Sequence, residues 1–341
     1  MPLPRLSAIV VAHRRPGATL ACVNSLLEQS EAELEVVVVQ NDASAEVKAR
    51  LEQRAPDPRL RLLTCTGLTA SEARNEGVAA ARAQVLYFLD DDVEVPRDGV
   101  AAVLDAFERH PDASIIGGPN LTPPDDPDFA QMSGELLGSA WGTGVARSRY
   151  RRRQARRAHE RHLILCNLAV KKTVFEQGLR FPFYFGGEEN VLMGHADERG
   201  HVLWYCPEVW VYHRRRRDLR GYSAQVFRYG RGRALALRAA PRTLHPAYLA
   251  PPAFLAYLTT LPFALMVSAW GALPLAAYAL GTTLASLKLG FERRRPGWVL
   301  PLLLLFPVTH CVYALGLIDG FLRPPQKPRK KVVASAMASR A

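Results

Sequence analysis

The chain has few thiols and no pattern that would use them. Its five cysteines (Cys22, Cys65, Cys166, Cys206 and Cys311) are scattered, odd in number and never spaced Cys-x-x-Cys. That argues against a disulfide scaffold or a zinc site and implies reduced thiols facing a cytosol. The first residues, "MPLPRLSAIVVAHRRPG", turn charged too soon for a signal peptide. No repeat of about 20 to 50 residues recurs. Acidic charge is scarce as well: 32 Asp and Glu stand against 44 Lys and Arg, a formal net charge of +12. Such a balance suggests an anionic partner, whether nucleic acid, phosphorylated ligand or membrane surface. No RNA- or DNA-binding motif accompanies the charge, so nucleic acid is set aside.

What is present divides the chain by composition. With 341 residues, 48% of them apolar, there is enough for two domains and a sizeable core. Up to about residue 130 strand and helix patterns alternate. "LSAIVVAH", "LEVVVVQNDAS", "RLRLLTC", "QVLYFLDDD" and "ASIIGGP" read as strands. "GATLACVNSLLEQS", "SAEVKARLEQRA", "TASEARNEGVAAARA" and "PRDGVAAVLDAFERH" read as helices. This alternation predicts an α/β, Rossmann-like domain with a largely parallel sheet. Ligands of such sheets bind at the carboxyl ends of the strands. Asn41, Asp42, Asp90, Asp91 and Asp92 lie there.

From about Tyr248 charge nearly disappears. "FLAYLTTLPFALMVSAW" and "ALPLAAYALGTTLASLKLG" are each near spanning length, and "WVLPLLLLFPVTHCVYALGLIDGFL" follows the basic loop "FERRRPG". The low-charge stretch is too long for a pair of soluble helices. Two spans return the chain to the cytoplasm at "FERRRPG", as the positive-inside tendency asks. A third would put the basic tail "RPPQKPRKK" outside, against that tendency. Either the His310–Asp319 segment is re-entrant or interfacial, or the tail is an exception. Apolar length favours a third span.

The stretch "YFLDDDVEVP" carries the chemistry. In extended backbone, residues i and i+2 point the same way. Asp90 and Asp92 can therefore face one ion while Asp91 faces elsewhere. Carboxylates suit Mg²⁺ or Mn²⁺, and a cation there could bridge a diphosphate. The bland alternatives are a solvated acidic turn or a cap for the helix starting near Arg97.

Four further pieces fall into one order. "SAIVVAHRRPGATLACVNSLLEQS", "VVVVQNDAS", "SEARNEGVAAARAQVLYFLDDD" and "GGEENVLMGHADERGHVLWYCPEVWVYH" together resemble family 2 glycosyltransferases of the GT-A fold, over roughly residues 5 to 215. The resemblance implies a nucleotide-sugar site formed by Ala12, Asn41, Asp42, Arg74, Asn75, Asp90 and Asp91, with Asp42 toward the base. It implies a metal held by Asp90, Asp92 and His213. Glu189 falls where the family's base Asp sits, with Glu188 able to exchange roles. For Arg74 a surface pair with Glu72 or Glu76 stays open, as does a plain surface role for His213. The Glu-Glu pair departs from the usual Glu-Asp, and Val11-Ala12-His13 departs from the usual first strand end. No Gln-x-x-Arg-Trp follows the base, which argues against a processive synthase.

"RSRYRRRQARRAHERH" and "HRRRRDLRGYSAQVFRYGRGRALALR" flank the catalytic element. The second, with "THCVYALGLIDGF", resembles membrane-associated exopolysaccharide members of the family, including succinoglycan glucosyltransferases. The expected layout is a catalytic domain (1–215), a basic interfacial segment (216–246), two or three transmembrane helices (247–322) and a basic disordered tail (323–341). The resemblance implies an inverting, metal-dependent enzyme, multi-pass in the inner membrane with its catalytic domain cytoplasmic. Its donor would be a UDP-sugar and its acceptor a polyprenyl-diphosphate-linked sugar or a glycan. A non-catalytic scaffold is the alternative from another class. A nucleotidyltransferase is disfavoured, since "VVAHRRPGA" is not a Gly-rich loop with a Lys.

Overall fold

The computed structural model describes residues 3–323 apart from Ala32 and Phe185. The expected basic tail, beyond Arg323, lies outside the described residues. By packing, the chain forms two compact units. One runs to Leu121 and resumes over Arg152–Arg214; the other comprises Thr122–Arg151 and Arg215–Pro324.

The first unit begins as strand–helix pairs: β1 (Leu6–Ala12) and α1 (Pro16–Leu27), β2 (Leu34–Asn41) and α2 (Ala45–Glu52), β3 (Leu60–Cys65) and α3 (Ala70–Ala80). Then come β4 (Val85–Asp90), β5 (Val93–Glu94), α4 (Gly99–Arg109), β6 (Ala113–Gly117) and β7 (Asn120–Leu121). Helices α5 (Asp128–Leu137) and α6 (Ala140–Thr143) belong to the second unit. The first resumes with β8 (Arg156–Arg157), β9 (Leu168–Lys171), α7 (Lys172–Glu176), α8 (Glu188–Glu198), β10 (Val202–Tyr205) and β11 (Val211–His213).

The main sheet has the order β3-β2-β1-β4-β9-β6-β10-β8. Strands β1 to β4 are parallel, as the alternation predicts. β9 runs antiparallel between β4 and β6. Residues of β2 are buried throughout, which its Val-rich run fits, since a strand covered on both faces needs no polar alternation. The small sheet β5-β11-β7 brings His213 beside Val93, next to the acidic strand end.

Helix α3 is fixed at both levels. Thr69 and Glu72 form a reciprocal capping box at its start. Gly77 lets it lie flush on the sheet, because a Cβ there would stand 2.5 Å from Ile9 Cγ2.

One buried charge holds the strand starts together. Glu35, on β2, accepts from Ser7 Oγ (2.5 Å), Arg82 N (2.9 Å) and Nε (2.6 Å), and Arg61 Nη1 (2.7 Å). Burial alone would raise its pKa, but these donors outweigh it and hold the carboxyl below its ordinary value. A depressed carboxyl stabilises the fold above its unfolded pKa, and the contribution is lost as pH falls through the folded value. Glu35→Gln should therefore cost about 2 kcal/mol at neutral pH. The deficit should shrink in acid below the usual carboxylate range. Unfolding midpoints of both proteins at about pH 7 and about pH 3 check this; a deficit independent of pH would refute it.

The second unit holds α5, α6, α9 (Leu219–Ala239), α10 (Ala250–Val267), α11 (Leu273–Glu292) and α12 (Val299–Leu322). Three segments are long and apolar enough to cross a membrane: Pro246–Val267, Ala269–Glu292 and Pro296–Leu322. Phe263, Met266, Val267 and Trp270 are largely exposed around the α10–α11 turn, an apolar surface suited to lipid rather than water. Trp141 of α6 sits on Gly281 and donates Nε1–H to Thr282 Oγ1 at 3.0 Å. His310 of α12 bonds both Tyr278 OH (2.8 Å) and the Trp141 carbonyl (2.9 Å). This polar group in an apolar helix is thus fully partnered.

Candidate active site

The carboxyl ends of β1, β2 and β4 converge. Asp90 closes β4, and the ligand atoms of Asp90, Asp92 and His213 lie within 4.8 Å of one another. Asp91 and Asp92 form a turn between β4 and β5, and this turn, not an extended backbone as expected, carries Asp90 and Asp92 to this point. Asp91 is buried and accepts from Thr19 Oγ1 at 3.2 Å. Burial pushes Asp91 up to about 6, although Arg15 Nη2 stands 2.6 Å away and opposes the rise. His213 Nε2 is 3.2 Å from Asp92 Oδ1. Burial would lower its imidazole, but the Asp92 charge prevails and holds it up at about 10. His213 is therefore a buried member of the acidic cluster, not a plain surface His.

Arg74 is not a surface residue either. It is buried, with Nη2 3.0 Å from Asp90 Oδ1 and Nη1 3.0 Å from Glu188 Oε1. A single guanidinium thus joins the strand-end aspartates to the acidic start of α8. Gly186 and Gly187 make that start, both at positive φ (100° and 81°), where a side chain would be strained. The Gly186 N–H donates to Glu188 Oε2 at 2.5 Å. Burial pushes Glu188 up to about 7, against the pull of Arg74. Glu189, next along the first turn, accepts from Asn190 Nδ2 at 3.1 Å. The helix dipole favours both carboxylates.

The remaining expected residues are placed as follows. Ala12 is fully buried at the end of β1 and offers only its backbone. Asn41 donates to the Leu68 carbonyl at 2.8 Å, and its own carbonyl receives His13 Nδ1 at 2.8 Å. Asp42 is exposed at φ 48°, and its Oδ2 accepts from the Gly67 N–H at 2.9 Å. Asn75 is brought elsewhere. Its amide bonds both the carbonyl (3.0 Å) and the N–H (3.1 Å) of Phe181, so it clamps the loop leading to α8. Ser71 does the same with the Tyr184 carbonyl.

Sequence reasoning passed over Arg15. It pairs with both Asp91 and Asp92, a second guanidinium at the acidic strand end beside Arg74. Strand register places it: β1 and β4 are parallel with Val11 opposite Asp90, so the segment past β1 stands beside Asp91 and Asp92.

Residues 7–179, just over half the chain, match the profile of glycosyl transferase family 2. The chain belongs to that family. Among curated relatives of this glycosyltransferase is the succinoglycan biosynthesis protein ExoO of Rhizobium meliloti (strain 1021), 32% identical over 104 residues, 30% of each chain. Another is ExoM of the same organism, also a succinoglycan biosynthesis protein, 26% identical over 67% of this chain and 75% of that protein. The chain thus spans less than a third of the length of ExoO. Among solved structures, the mannosyltransferase PcManGT from Pyrobaculum calidifontis, in complex with GDP-Man and Mn²⁺, superposes with TM-score 0.62 at 18% identity, covering 95% of this chain and 89% of that one. That likeness shows the fold: a GT-A-like α/β sheet, followed here by three apolar helices.

Proposed function

We propose that this site moves a sugar from a nucleotide-sugar donor to a hydroxyl of a lipid-linked or glycan acceptor, with inversion. The setting is the cytoplasmic membrane face, in exopolysaccharide biosynthesis, as the names of the relatives suggest. The observation that carries the reading is Arg74, bonded at once to Asp90 and Glu188. It holds the cation end and the acidic end of one site in fixed relation.

The residues fit a divalent cation. Asp90 and Asp92 supply hard oxygens that suit Mg²⁺ or Mn²⁺, and His213 could add an imidazole nitrogen once the cation displaces the proton it shares with Asp92. Bound there, the cation would offset charge on the departing diphosphate. Arg15 and Arg74 neutralise the surplus aspartate charge around it. Glu189 takes the proton of the acceptor hydroxyl as the oxygen attacks the anomeric carbon from the face opposite the leaving group. Glu188, tied to Arg74, acts as a positioning residue. Ala12, Asn41 and Asp42 line the nucleotide end. UDP is favoured by the family resemblance.

A donor screen tests the reading. UDP-, GDP- and dTDP-sugars are offered to membranes holding the protein, with Mn²⁺ or Mg²⁺. The expected result is release of nucleoside diphosphate from one donor class, with no nucleotide incorporated. Silence with every donor and acceptor fraction would leave the scaffold reading in its place.

A further inference from the structure

Helices α11 and α12 pack antiparallel. Tyr278 OH bonds His310 Nδ1 at 2.8 Å, and a Cβ on Gly290 would stand 2.8 Å from Val299 Cγ2. The turn between them therefore lies at one end of both helices, at a face of any bilayer they cross. A cleft of about 480 Å³ opens at this turn, against the start of α5. Met132 and Pro301 give it an apolar wall, and Asp128, Arg294 and Arg295 a charged edge. Trp298 also lines it. This residue is only 7% exposed, and its indole N–H donates to both carboxylate oxygens of Asp128 at 2.9 Å.

The charges at the turn are unequally matched. Arg293 pairs with Glu135 at 2.6 Å, and Arg295 stands 3.6 Å from Asp128. The side chain of Arg294 has no ion pair or hydrogen bond among the described residues. Its backbone is the unusual part. The last turn of α11 closes as a Schellman motif: the Arg294 N–H donates to the Phe291 carbonyl at 3.0 Å and the Arg295 N–H to that of Gly290 at 2.7 Å. Arg294 holds the left-handed position of that motif, at φ 54°, where glycine is favoured. The fold thus bears a strained backbone and keeps an unpaired guanidinium at the edge of the cleft.

We infer that this cleft binds an anionic phospholipid of the surrounding leaflet. Its phosphate meets Arg294 and Arg295, and its glycerol and upper acyl carbons lie against Met132, Pro301 and the Trp298 ring. Leu300 and Leu304, one turn apart on α12 and largely exposed, continue the apolar surface and suit an acyl chain. Guanidinium–phosphate bonds are strong and geometrically specific, and a basic cleft between membrane helices is where lipid phosphates lodge. A free phosphate would satisfy the guanidinia but leave the apolar surface uncovered. A zwitterionic lipid would cover that surface but bring no net charge to Arg294.

Thermal melts of the full chain in neutral detergent test it. Phosphatidylglycerol should raise the wild-type midpoint by on the order of 3 °C. Phosphatidylcholine or inorganic phosphate at the same concentration should not. Arg294→Gly removes the guanidinium and relieves the backbone. Its lipid-free midpoint should equal or exceed that of the wild type, while the phosphatidylglycerol shift is lost. Gly297→Phe obstructs the cleft and leaves its charge intact, since a Cβ there meets no atom within 4 Å. It too should lose the shift. Arg242→Gln, at an exposed arginine outside the cleft, should keep it. No wild-type shift, an equal shift with phosphatidylcholine or inorganic phosphate, or a shift that survives in Arg294→Gly or Gly297→Phe overturns the inference. Equal loss in Arg242→Gln means diffuse attraction and overturns it too. So does a polyprenyl phosphate that shifts the midpoint where phosphatidylglycerol does not, which would give the cleft to a different lipid.

Discussion

Glu189→Gln is expected to lower sugar transfer by a factor on the order of a hundred or more while leaving donor affinity unchanged. The substitution keeps the shape of the side chain, and its amide oxygen can still accept from Asn190 Nδ2. What it removes is basicity. An acceptor hydroxyl is a weak nucleophile until a carboxylate takes its proton, so the loss falls on kcat. In the proposed mechanism donor binding rests on other groups, those of the Asp90, Asp92 and His213 cluster. Glu188→Gln should behave differently. It breaks the 3.0 Å pair with Arg74, and Arg74 also holds Asp90. Donor KM should therefore rise as kcat falls. Steady-state kinetics on both variants, with donor titrations, separate the two roles. If Glu188→Gln is the dead enzyme with normal donor affinity and Glu189→Gln turns over normally, the roles are exchanged.

Asp92→Asn should reduce activity by a factor on the order of a thousand, because in the proposed mechanism it weakens the hold on a cation that would offset diphosphate charge. The change is isosteric, so the fold should survive, as a thermal melt would show. Asp92 is also the charge beside His213 Nε2, and its loss leaves that buried imidazole without its anion. Excess Mn²⁺ should restore little of the rate. Chelation gives the complementary arm: wild-type protein in excess EDTA should stop and recover when Mn²⁺ or Mg²⁺ is returned. Undiminished turnover in EDTA would remove the cation from the mechanism.

Much of the first unit was legible because its signals are local. β1 to β4 are apolar runs followed by helical periodicities, and the Asp90-x-Asp92 spacing reads directly as two carboxylates on one side. β9 was not legible. Its four residues, Leu168–Lys171, make a strand only because β4 and β6 stand on either side of them. The Arg74 partnership was half legible: its segment was singled out, but Glu188 lies 114 residues away and only the fold joins them. Asn75 sits beside Arg74 in sequence, and its amide bonds the Phe181 backbone, a contact no short-range pattern announces. Arg15 sat in "AHRRPG", where a run of charge reads as a solvated face until strand register places it against Asp91 and Asp92.

The interleaving of the two units has a consequence for biogenesis. Thr122–Arg151 emerges between β7 and β8, yet it packs with the unit completed by α12. Its Trp141 waits for Thr282 and His310, and its Asp128 waits for the Trp298 indole. At ribosomal speeds of roughly 5–20 residues per second, the interval from residue 151 to residue 322 is on the order of ten to thirty seconds. Through that interval Leu136, Leu137 and Trp141 lack their final neighbours, while the strands around them are already able to pair. A nascent chain in this state needs shelter for its apolar residues until α12 is made.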